Sequence, residues 1–205
     1  MTPDSAPQAL TATGLNKSYG AIAVTRDVSL SVPEGGALGI IGPNGAGKTT
    51  LFNLITGTVP AGTGQITLFG QDITRMDARQ RCLAGIARSF QVPQPFSGLT
   101  TFENVLIAAA FGRGLSEKAA RPHARAALEM TGLAPKADVL AGTLTLLDRK
   151  RLELARALAT GPRLLLLDEI AGGMTEAECV TLVELIRDIR GSGVTIVWIE
   201  HVLHA

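Results

Sequence analysis

The residues whose types and spacing most clearly indicate chemistry form a glycine-rich segment after a short apolar run. The pattern Gly-x-x-x-x-Gly-Lys-Thr predicts a loop that holds phosphate, because glycines let successive backbone N–H groups turn around an anion. The lysine adds a mobile positive charge, and the threonine hydroxyl can ligate Mg²⁺. We predict nucleotide contacts from this segment and from the residue that follows it: Gly42, Pro43, Asn44, Gly45, Ala46, Gly47, Lys48, Thr49 and Thr50.

A second candidate is a pair of acids at the end of a leucine run. The four leucines of residues 164–167 predict a central strand covered on both faces, and Asp168 and Glu169 follow at its carboxyl end. A nucleotide bound with Mg²⁺ requires a carboxylate at the end of a neighbouring buried strand. We therefore expect Asp168 to hold the metal through water, and Glu169 to act as general base for the water that attacks the γ-phosphate.

Strands and helices alternate along the chain, which predicts a parallel α/β core. Periodicity and turn residues predict strands at 28–32, 37–41, 65–69, 86–90, 164–167 and 194–199. They predict helices at 78–83, 101–111, 117–131 with an interruption at Pro122, 147–159 and 175–190, and a helix that begins at Gly47 or Lys48. The strand at 37–41 is expected to be buried. The three helices predicted between residues 90 and 164 form a block that suggests a lobe inserted into the core.

The composition excludes several classes of protein. The chain has 205 residues, of which 46 % are hydrophobic and 18 % charged, so it is a folded chain rather than a disordered one. Its net charge of +1 does not point to nucleic acid, and we expect the basic run 149–151 to form a solvated helix face. Cys82 and Cys179 lack the spacing of a metal site or a disulfide framework. The longest apolar run, 105–111, is far shorter than the roughly 20 residues of a membrane span, and we expect a cytoplasmic location.

Further motifs, in order along the chain, resemble those of the ATP-binding subunits of ABC transporters. Residues 144–158 fall where that family carries its signature motif. Gln91 matches the family's Q-loop glutamine, His201 its switch histidine, and Tyr19 its adenine-stacking aromatic residue. The segment Arg-Ser-Phe-Gln at 88–91 and the sequence at 96–105 look most like the branched-chain amino acid importer branch.

This resemblance implies an α/β fold of the P-loop NTPase (RecA-like) type, with a parallel-sheet core, an N-terminal antiparallel β subdomain and an inserted α-helical lobe. It implies hydrolysis of ATP with Mg²⁺, by these catalytic residues: Lys48, Gln91, Glu169 and His201. Tyr19 and Thr145 would contact nucleotide in addition to the phosphate loop, and Thr49, Gln91 and Asp168 would hold the metal. The implied partners are the transmembrane subunits of a transporter and a second ATPase subunit, identical or paralogous, with no nucleic acid. The implied location is the cytoplasmic face of the inner or plasma membrane.

The resemblance also divides the chain. We expect residues 1–205 to form a single ABC ATPase domain, with a nucleotide-binding core at 8–91 and 160–205 and a helical lobe with the signature motif at 92–159. Family members usually continue with a further strand and helices beyond the position of His201. We therefore expect that the C-terminal part of the family domain is absent from this sequence.

The signature motif departs from the family's usual Leu-Ser-Gly-Gly-Gln. Leu146 and Leu147 replace the glycines and Asp148 replaces the glutamine, whereas Thr145 keeps a hydroxyl group. In the family this motif reaches across a dimer to the partner's ATP, so the leucines add bulk and Asp148 adds negative charge near phosphate. Thr145 and Asp148 keep a capping-box spacing, which favours the helix start. We hypothesise an asymmetric pair, in which a related subunit's signature completes the site of this chain.

The sequence leaves other classes of protein to compare with an importer ATPase. The ATPase of a lipid or lipopolysaccharide exporter has a similar Q-loop region. A soluble ABC protein of DNA repair or translation would need coiled-coil, zinc or duplicated-cassette insertions, and 205 residues hold none of these. A phosphate-loop kinase or switch GTPase would lack the ordered series formed by Gln91, the signature region, Asp168, Glu169 and His201.

Overall fold

The computed structural model describes residues 6–200, and His201 lies outside this range. In chain order the strands and helices are β1 (Gln8–Tyr19), β2 (Ile22–Pro33), β3 (Ala37–Ile41), α1 (Lys48–Thr56), β4 (Thr63–Leu68), β5 (Gln71–Asp72), α2 (Ala78–Leu83), β6 (Ile86–Arg88), α3 (Thr101–Arg113), α4 (Glu117–Met130), α5 (Leu146–Ala159), β7 (Leu164–Asp168), α6 (Glu176–Gly191) and β8 (Thr195–Glu200). Short 3₁₀ turns at Ala134–Lys136 and Ala141–Thr143 join α4 to α5.

Two sheets organise the chain. An antiparallel sheet has the strand order β2-β1-β4-β5, and a parallel sheet has the order β3-β8-β7-β6. The α/β fold with a separate antiparallel sheet is thereby confirmed. β1 was not predicted as a strand, because polar residues interrupt its apolar ones and its pairing with β2 is irregular at several points.

The core lies on both faces of the parallel sheet. On one face, Leu164 and Leu166 of β7 belong to a cluster that joins α1 to the antiparallel sheet. On the other face, Leu165 and Leu167 pack with α5 and α6. Every residue of β7 is buried, as predicted for a strand covered on both sides. The acids at the carboxyl end of this strand, Asp168 within it and Glu169 directly after it, are therefore held by a rigid element.

Residues 37–41 form the predicted strand, but the prediction that this strand is buried is wrong. β3 forms at the predicted bounds, but its residues alternate between exposed and half-buried, and Ile41 is 53 % exposed. Within residues 6–200, β3 pairs with β8 alone and lies at the edge of the sheet. An apolar run therefore predicted the strand correctly without revealing its place in the sheet.

Helices α3, α4 and α5 pack into a separate cluster, in which small side chains such as Ala109, Ala124 and Ala155 are buried. Pro122 does not interrupt α4, although the sequence predicted an interruption there. Pro122 lies on the exposed side of the helix, where water can satisfy the carbonyl that loses its partner. Burial of the opposite face outweighs the cost of the proline, roughly 3 kcal/mol in a helix interior.

The basic run in α5 is not a solvated face. Lys150 is 3 % exposed, and burial lowers the pKa of its ammonium group. Arg149 turns back to donate hydrogen bonds to the carbonyl oxygens of Leu144, at 3.0 Å, and Gly142, at 2.9 Å. Arg149 thus stabilises the loop before α5 and Lys150 is buried, so the sequence-based expectation for this run is wrong. None of the helices within residues 6–200 is both long and apolar enough to cross a membrane.

Candidate functional site

The phosphate-loop segment connects β3 to α1, as the motif requires. Gly45 and Gly47 have φ angles of 80° and 84°, in the left-handed region that favours glycine. A Cβ atom on Gly47 would lie 2.8 Å from the carbonyl oxygen of Val24, so this position has no room for a side chain. The glycines are therefore required by backbone conformation and by close packing against β2.

The start of α1 presents backbone N–H groups and two functional side chains. Gly47 is the N-cap residue and no side chain caps the helix among the described residues, so an incoming anion can accept hydrogen bonds from its first turn. Lys48 donates hydrogen bonds to the carbonyl oxygens of Gly42, at 2.5 Å, and Pro43, at 3.0 Å. Its ammonium group thus lies over the loop, while Thr49 is exposed beside it.

The two predicted acids lie at the carboxyl end of β7. Asp168 and Glu169 are 4 % and 6 % exposed. Glu169 has a φ angle of 47°, unusual for a residue other than glycine, and its N–H donates to the carbonyl oxygen of Ile199 in β8 at 2.9 Å. Such local strain is commonly found at functional sites, because the surrounding structure holds the residue in place.

Gln91, the predicted Q-loop glutamine, meets Glu169. Its side-chain amide donates to Oε2 of Glu169 at 2.5 Å. The loop after β6 is therefore in contact with the acid that follows β7. Two residues that lie 78 positions apart in the sequence are brought together because β6 and β7 are parallel neighbours.

Arg88 and Asn53 complete the surroundings of Asp168, and the sequence analysis missed both roles. Arg88 donates through Nη2 to Oδ2 of Asp168 and through Nη1 to Oδ1 of Asn53 at 2.6 Å. From the sequence, the segment that contains Arg88 indicated only a resemblance to one branch of a family and no role for the arginine. A charged residue at the end of a short buried strand was the signal that pointed to a buried acidic partner.

Tyr19 lies at the end of β1, opposite Ile22 of β2, and is 48 % exposed. The same hairpin carries Val24, which packs against Gly47 of the phosphate loop. Nζ of Lys17 lies 5.3 Å from the centroid of the Tyr19 ring. An exposed aromatic ring on a hairpin that touches the phosphate loop is suited to stack on a nucleobase.

Thr145 is the N-cap of α5, and its hydrogen bonds are made within that helix start. Its hydroxyl accepts from the N–H of Asp148 at 3.2 Å and is 2.8 Å from Oδ2 of the same residue. Lys136 also donates to Asp148 Oδ2. Burial raises the pKa of Asp148, but the hydrogen bonds from Lys136 and Thr145 and the Lys136 charge outweigh it, so the net pKa lies below the usual value.

The residues present fit a magnesium ion that is held jointly with nucleotide phosphates. Mg²⁺ prefers oxygen ligands and commonly takes one or two from protein, with water and phosphate supplying the rest. The Thr49 hydroxyl, the Asp168 carboxylate and the Gln91 amide oxygen are of that type. Within residues 6–200, no cluster of three or more His, Cys, Asp or Glu side chains could hold a metal alone. The donor set thus favours a metal that arrives with nucleotide.

Taken together, the phosphate loop after β3 and the acids at the carboxyl end of β7, with β8 between the two strands rather than the direct neighbours that the sequence predicted, define a P-loop NTPase fold. The sequence profile of the ABC transporter family matches residues 25–172. The chain belongs to the family of ATP-binding proteins of ABC transporters, and it is an ABC transporter ATPase.

Relatives with different transport tasks are similar to this chain. The high-affinity branched-chain amino acid transport ATP-binding protein BraF of Pseudomonas aeruginosa is 37 % identical over 207 residues, covering 94 % of this chain and 81 % of its own. The lipopolysaccharide export system ATP-binding protein LptB of Haemophilus influenzae is 34 % identical over 192 residues, covering 94 % and 80 %. The ADP conformation of MJ1267, an ATP-binding cassette of an ABC transporter, superposes with a TM-score of 0.89 at 31 % identity, covering 96 % of this chain and 82 % of that one.

Proposed function

We propose that this site binds ATP with Mg²⁺ and hydrolyses its γ-phosphate, and that hydrolysis energises the import of branched-chain amino acids or a related small solute. The observation that carries the catalytic part is the contact between Gln91 and Glu169 at the carboxyl end of β7. It brings a polar amide and a buried carboxylate to the carboxyl ends of the parallel strands, where the phosphate loop also starts. This is the arrangement expected for positioning an attacking water.

Each residue has a distinct role in this proposal. Lys48 and the N–H groups at the start of α1 bind the β- and γ-phosphates, and Tyr19 stacks on the base. Mg²⁺, held by Thr49, Asp168 and Gln91, would neutralise charge that develops on the phosphate oxygens. Glu169 accepts the proton of the attacking water, and the Gln91 amide orients the Glu169 carboxylate. The proposed role of His201 in holding the γ-phosphate falls outside the described residues.

The proposed membrane partner is a transmembrane subunit that docks against α3. A groove of about 850 Å³ runs beside α3 and includes Phe102, Leu106 and Ile107 in its lining. Phe111, at the end of this groove, is 81 % exposed, and Leu83 of α2 is 45 % exposed. An exposed apolar surface of this kind favours a protein interface. Docking there would hold the ATPase at the cytoplasmic face of the membrane.

We further propose that a second ATPase subunit contributes to each ATP site and that the pair is asymmetric. The Thr145 hydroxyl donates a hydrogen bond to the Asp148 carboxylate. The side chain of Leu146 lies beside Gly173: its Cδ2 atom is 3.5 Å from the position that a Cβ atom on Gly173 would take. The Lys136 ion pair compensates the charge of Asp148, which keeps the start of α5 ordered. These contacts support a signature region that folds well but offers a partner's phosphate less than a glycine-rich one would.

The choice between import and export rests on the relatives. The importer ATPases BraF and LivG (Salmonella typhimurium) are 37 % and 36 % identical to this chain, and the exporter ATPase LptB is 34 % identical. The Arg-Ser-Phe-Gln segment supports the importer branch. Lipopolysaccharide export is the alternative, followed by a soluble non-transport ABC ATPase.

Nucleotide binding and phosphate release test the catalytic proposal. We expect the wild-type chain to bind a fluorescent ATP analogue more tightly with Mg²⁺ than with EDTA, and to release phosphate. Lys48→Ala should lose most of this binding, whereas Arg187→Ala, a change on α6, should keep it. Equal binding by wild type and Lys48→Ala would contradict the proposed phosphate contacts.

Uptake measurements test the transport proposal. Deleting the gene should abolish accumulation of radiolabelled leucine, and restoring wild type but not Glu169→Gln should recover it. Normal leucine uptake together with a defective outer membrane would instead favour the exporter alternative. If the deletion strain shows neither a leucine-uptake defect nor an outer-membrane defect, a function outside transport is favoured.

A further inference from the structure

A buried arginine lies beside the proposed metal ligand. Arg88 ends β6, and its side chain is 8 % exposed. The guanidinium carbon lies 5.5 Å from the ring centroid of Phe52 in α1 and 5.2 Å from that of Phe90 in the following loop. Together with the hydrogen bonds to Asn53 and Asp168, these contacts place the guanidinium between the phosphate-loop helix, the Q-loop and β7.

Stability alone does not account for this arginine. Moving a guanidinium and a carboxylate out of water costs several kcal/mol per ion, and well-packed apolar side chains often stabilise a core equally well. Within the described residues, Nε of Arg88 has no hydrogen-bond partner, so the group is not placed for its own best hydrogen bonding. Its geometry is instead set by Asp168 and Asn53.

We propose that Arg88 is a positioning residue for the metal site: it holds the Asp168 carboxylate through Oδ2 and fixes the orientation in which that carboxylate meets Mg²⁺. Within the described residues, the hydrogen bond that Arg88 donates to this carboxylate ends on Oδ2, which leaves Oδ1 for a metal-bound water. Partners that orient a metal ligand in this way typically affect metal affinity by roughly 10- to 100-fold. The inference rests on the proposed function, because it assumes that Asp168 serves a metal.

The stacking on Phe90 gives the same side chain a second contact with the site. Phe90 directly precedes Gln91, whose amide contacts Glu169. Arg88 thereby joins the proposed metal ligand to the loop that carries the Q-loop glutamine. A lysine in its place would keep the charge but would lose the planar group that contacts Asp168, Asn53 and both rings at once.

Manganese affinity in the presence of ADP tests this inference without requiring turnover. Electron paramagnetic resonance can measure Mn²⁺ bound to the ADP complex of wild type, Arg88→Met, Arg88→Lys and Asp168→Asn, while ADP affinity is measured separately in EDTA. We expect Arg88→Met to weaken Mn²⁺ binding by about tenfold or more, with ADP affinity in EDTA unchanged. Arg88→Lys should lose less Mn²⁺ affinity than Arg88→Met. Asp168→Asn should bind Mn²⁺ no more tightly than Arg88→Met does.

A matched control is available in the helical lobe. Arg156 is also paired with a buried acid, Glu153, at 2.8 Å, and its guanidinium carbon lies 5.5 Å from the Phe96 ring centroid. Arg156→Met should lower thermal stability but leave Mn²⁺ affinity unchanged. If Arg88→Met does not fold, Asn53→Ala removes one anchor of the guanidinium and should give a smaller loss of Mn²⁺ affinity in the same direction.

The outcomes separate this inference from the proposed function. Wild type that binds no Mn²⁺ with ADP would overturn both. If wild type binds Mn²⁺ and Arg88→Met binds it with equal or higher affinity, the positioning role alone is overturned. A higher affinity in Arg88→Met would show that the arginine competes with the metal. A loss shared equally by Arg156→Met would assign the effect to general destabilisation and would also overturn it.

Discussion

Glu169 combines three features that make it the strongest candidate for the catalytic base. It is buried, it has a left-handed backbone conformation, and its carboxylate accepts a short hydrogen bond from Gln91. Its backbone is held by β8 through the carbonyl oxygen of Ile199. A side chain so constrained can hold a water in one place, which is the requirement for general-base catalysis.

Glu169→Gln should therefore keep its affinity for ATP, while its rate of ATP hydrolysis should fall by about 10²- to 10⁴-fold, the usual contribution of a general base. Because product formation is blocked, sedimentation should also detect an ATP-dependent dimer, either with itself or with a related subunit. Glu184→Gln, a change at an exposed position of α6, is the control and should keep wild-type turnover. Glu169→Gln with normal turnover would rule out this role.

Asp148 gives a prediction for pH dependence. Its pKa in the folded state lies below the unfolded value of 3.8, because the interactions with Lys136 and Thr145 outweigh burial. Its contribution to stability is fully present above that unfolded value and is lost as the pH falls through the lower folded pKa. The pair is partly exposed on the Lys136 side, so the contribution should be about 1 kcal/mol.

Urea unfolding across pH checks this expectation. At pH 7 Asp148→Asn should be less stable than wild type, and the difference should shrink below pH 3.8. Asp138→Asn is a control in the preceding loop and should show no such change. A difference that stays constant from pH 7 to the acid limit would contradict the assigned ion pair.

At the scale of elements, the phosphate loop depends on the packing of α1 against β2 as much as on its own sequence. Gly47 has a positive φ angle and is closed in by the Val24 carbonyl, whereas Gly39 in β3 faces open space. The motif predicted the loop, α1 and its start, since glycine spacing reports local backbone conformation. It did not reveal β2 as the neighbour, because that contact is set by the packing of the two sheets.

Gly47→Ala should lower the free energy of unfolding by about 1–3 kcal/mol from backbone strain, with a further loss from the clash. Nucleotide binding should fall as well, because the loop cannot keep its shape. Gly39→Ala should be nearly neutral in both measurements, since within residues 6–200 no heavy atom beyond its own chain neighbours lies within 4 Å of the position that a Cβ atom would take. Chemical denaturation and nucleotide titration of the two variants provide the comparison, and equal behaviour would refute the steric argument.

At the scale of the whole molecule, the helices between β6 and β7 present the surfaces through which hydrolysis would act on partners. Phe111 and the α3 groove would receive a membrane subunit, and the start of α5 would face a second ATPase. The boundaries 92–159 for this lobe stay a prediction. The three helices form their own core cluster, which favours movement of the lobe as a unit.

Phe111→Ser should preserve folding and ATP binding, because the side chain is 81 % exposed, while it reduces the fraction of the protein bound to membranes in cells. Val180→Ser changes an apolar residue of α6 that is 55 % exposed, and it should retain membrane binding. Fractionation of cell extracts measures both. Unchanged membrane binding by Phe111→Ser would exclude the groove as the docking site.

Leu147→Gly with Asp148→Gln tests the asymmetric pair. If the signature of this chain limits the partner's site, the double variant should raise turnover at that reciprocal site. The measurement is phosphate release by the assembled pair in which Glu169→Gln silences the site of this chain. Unchanged turnover would remove the reason for proposing asymmetry.

The sequence by itself determined the phosphate loop, the acids at the carboxyl end of β7, the helix starts and the family, because these depend on local spacing and on backbone preferences of neighbouring residues. The tertiary structure decided which distant side chains meet. Arg88, Asn53 and Asp168 come from three elements, and Gln91 reaches Glu169 across 78 positions, because parallel strands align their carboxyl ends. The exposed edge of β3 and the buried Lys150 were likewise hidden from the sequence, since burial depends on what packs against a residue and not on its own type.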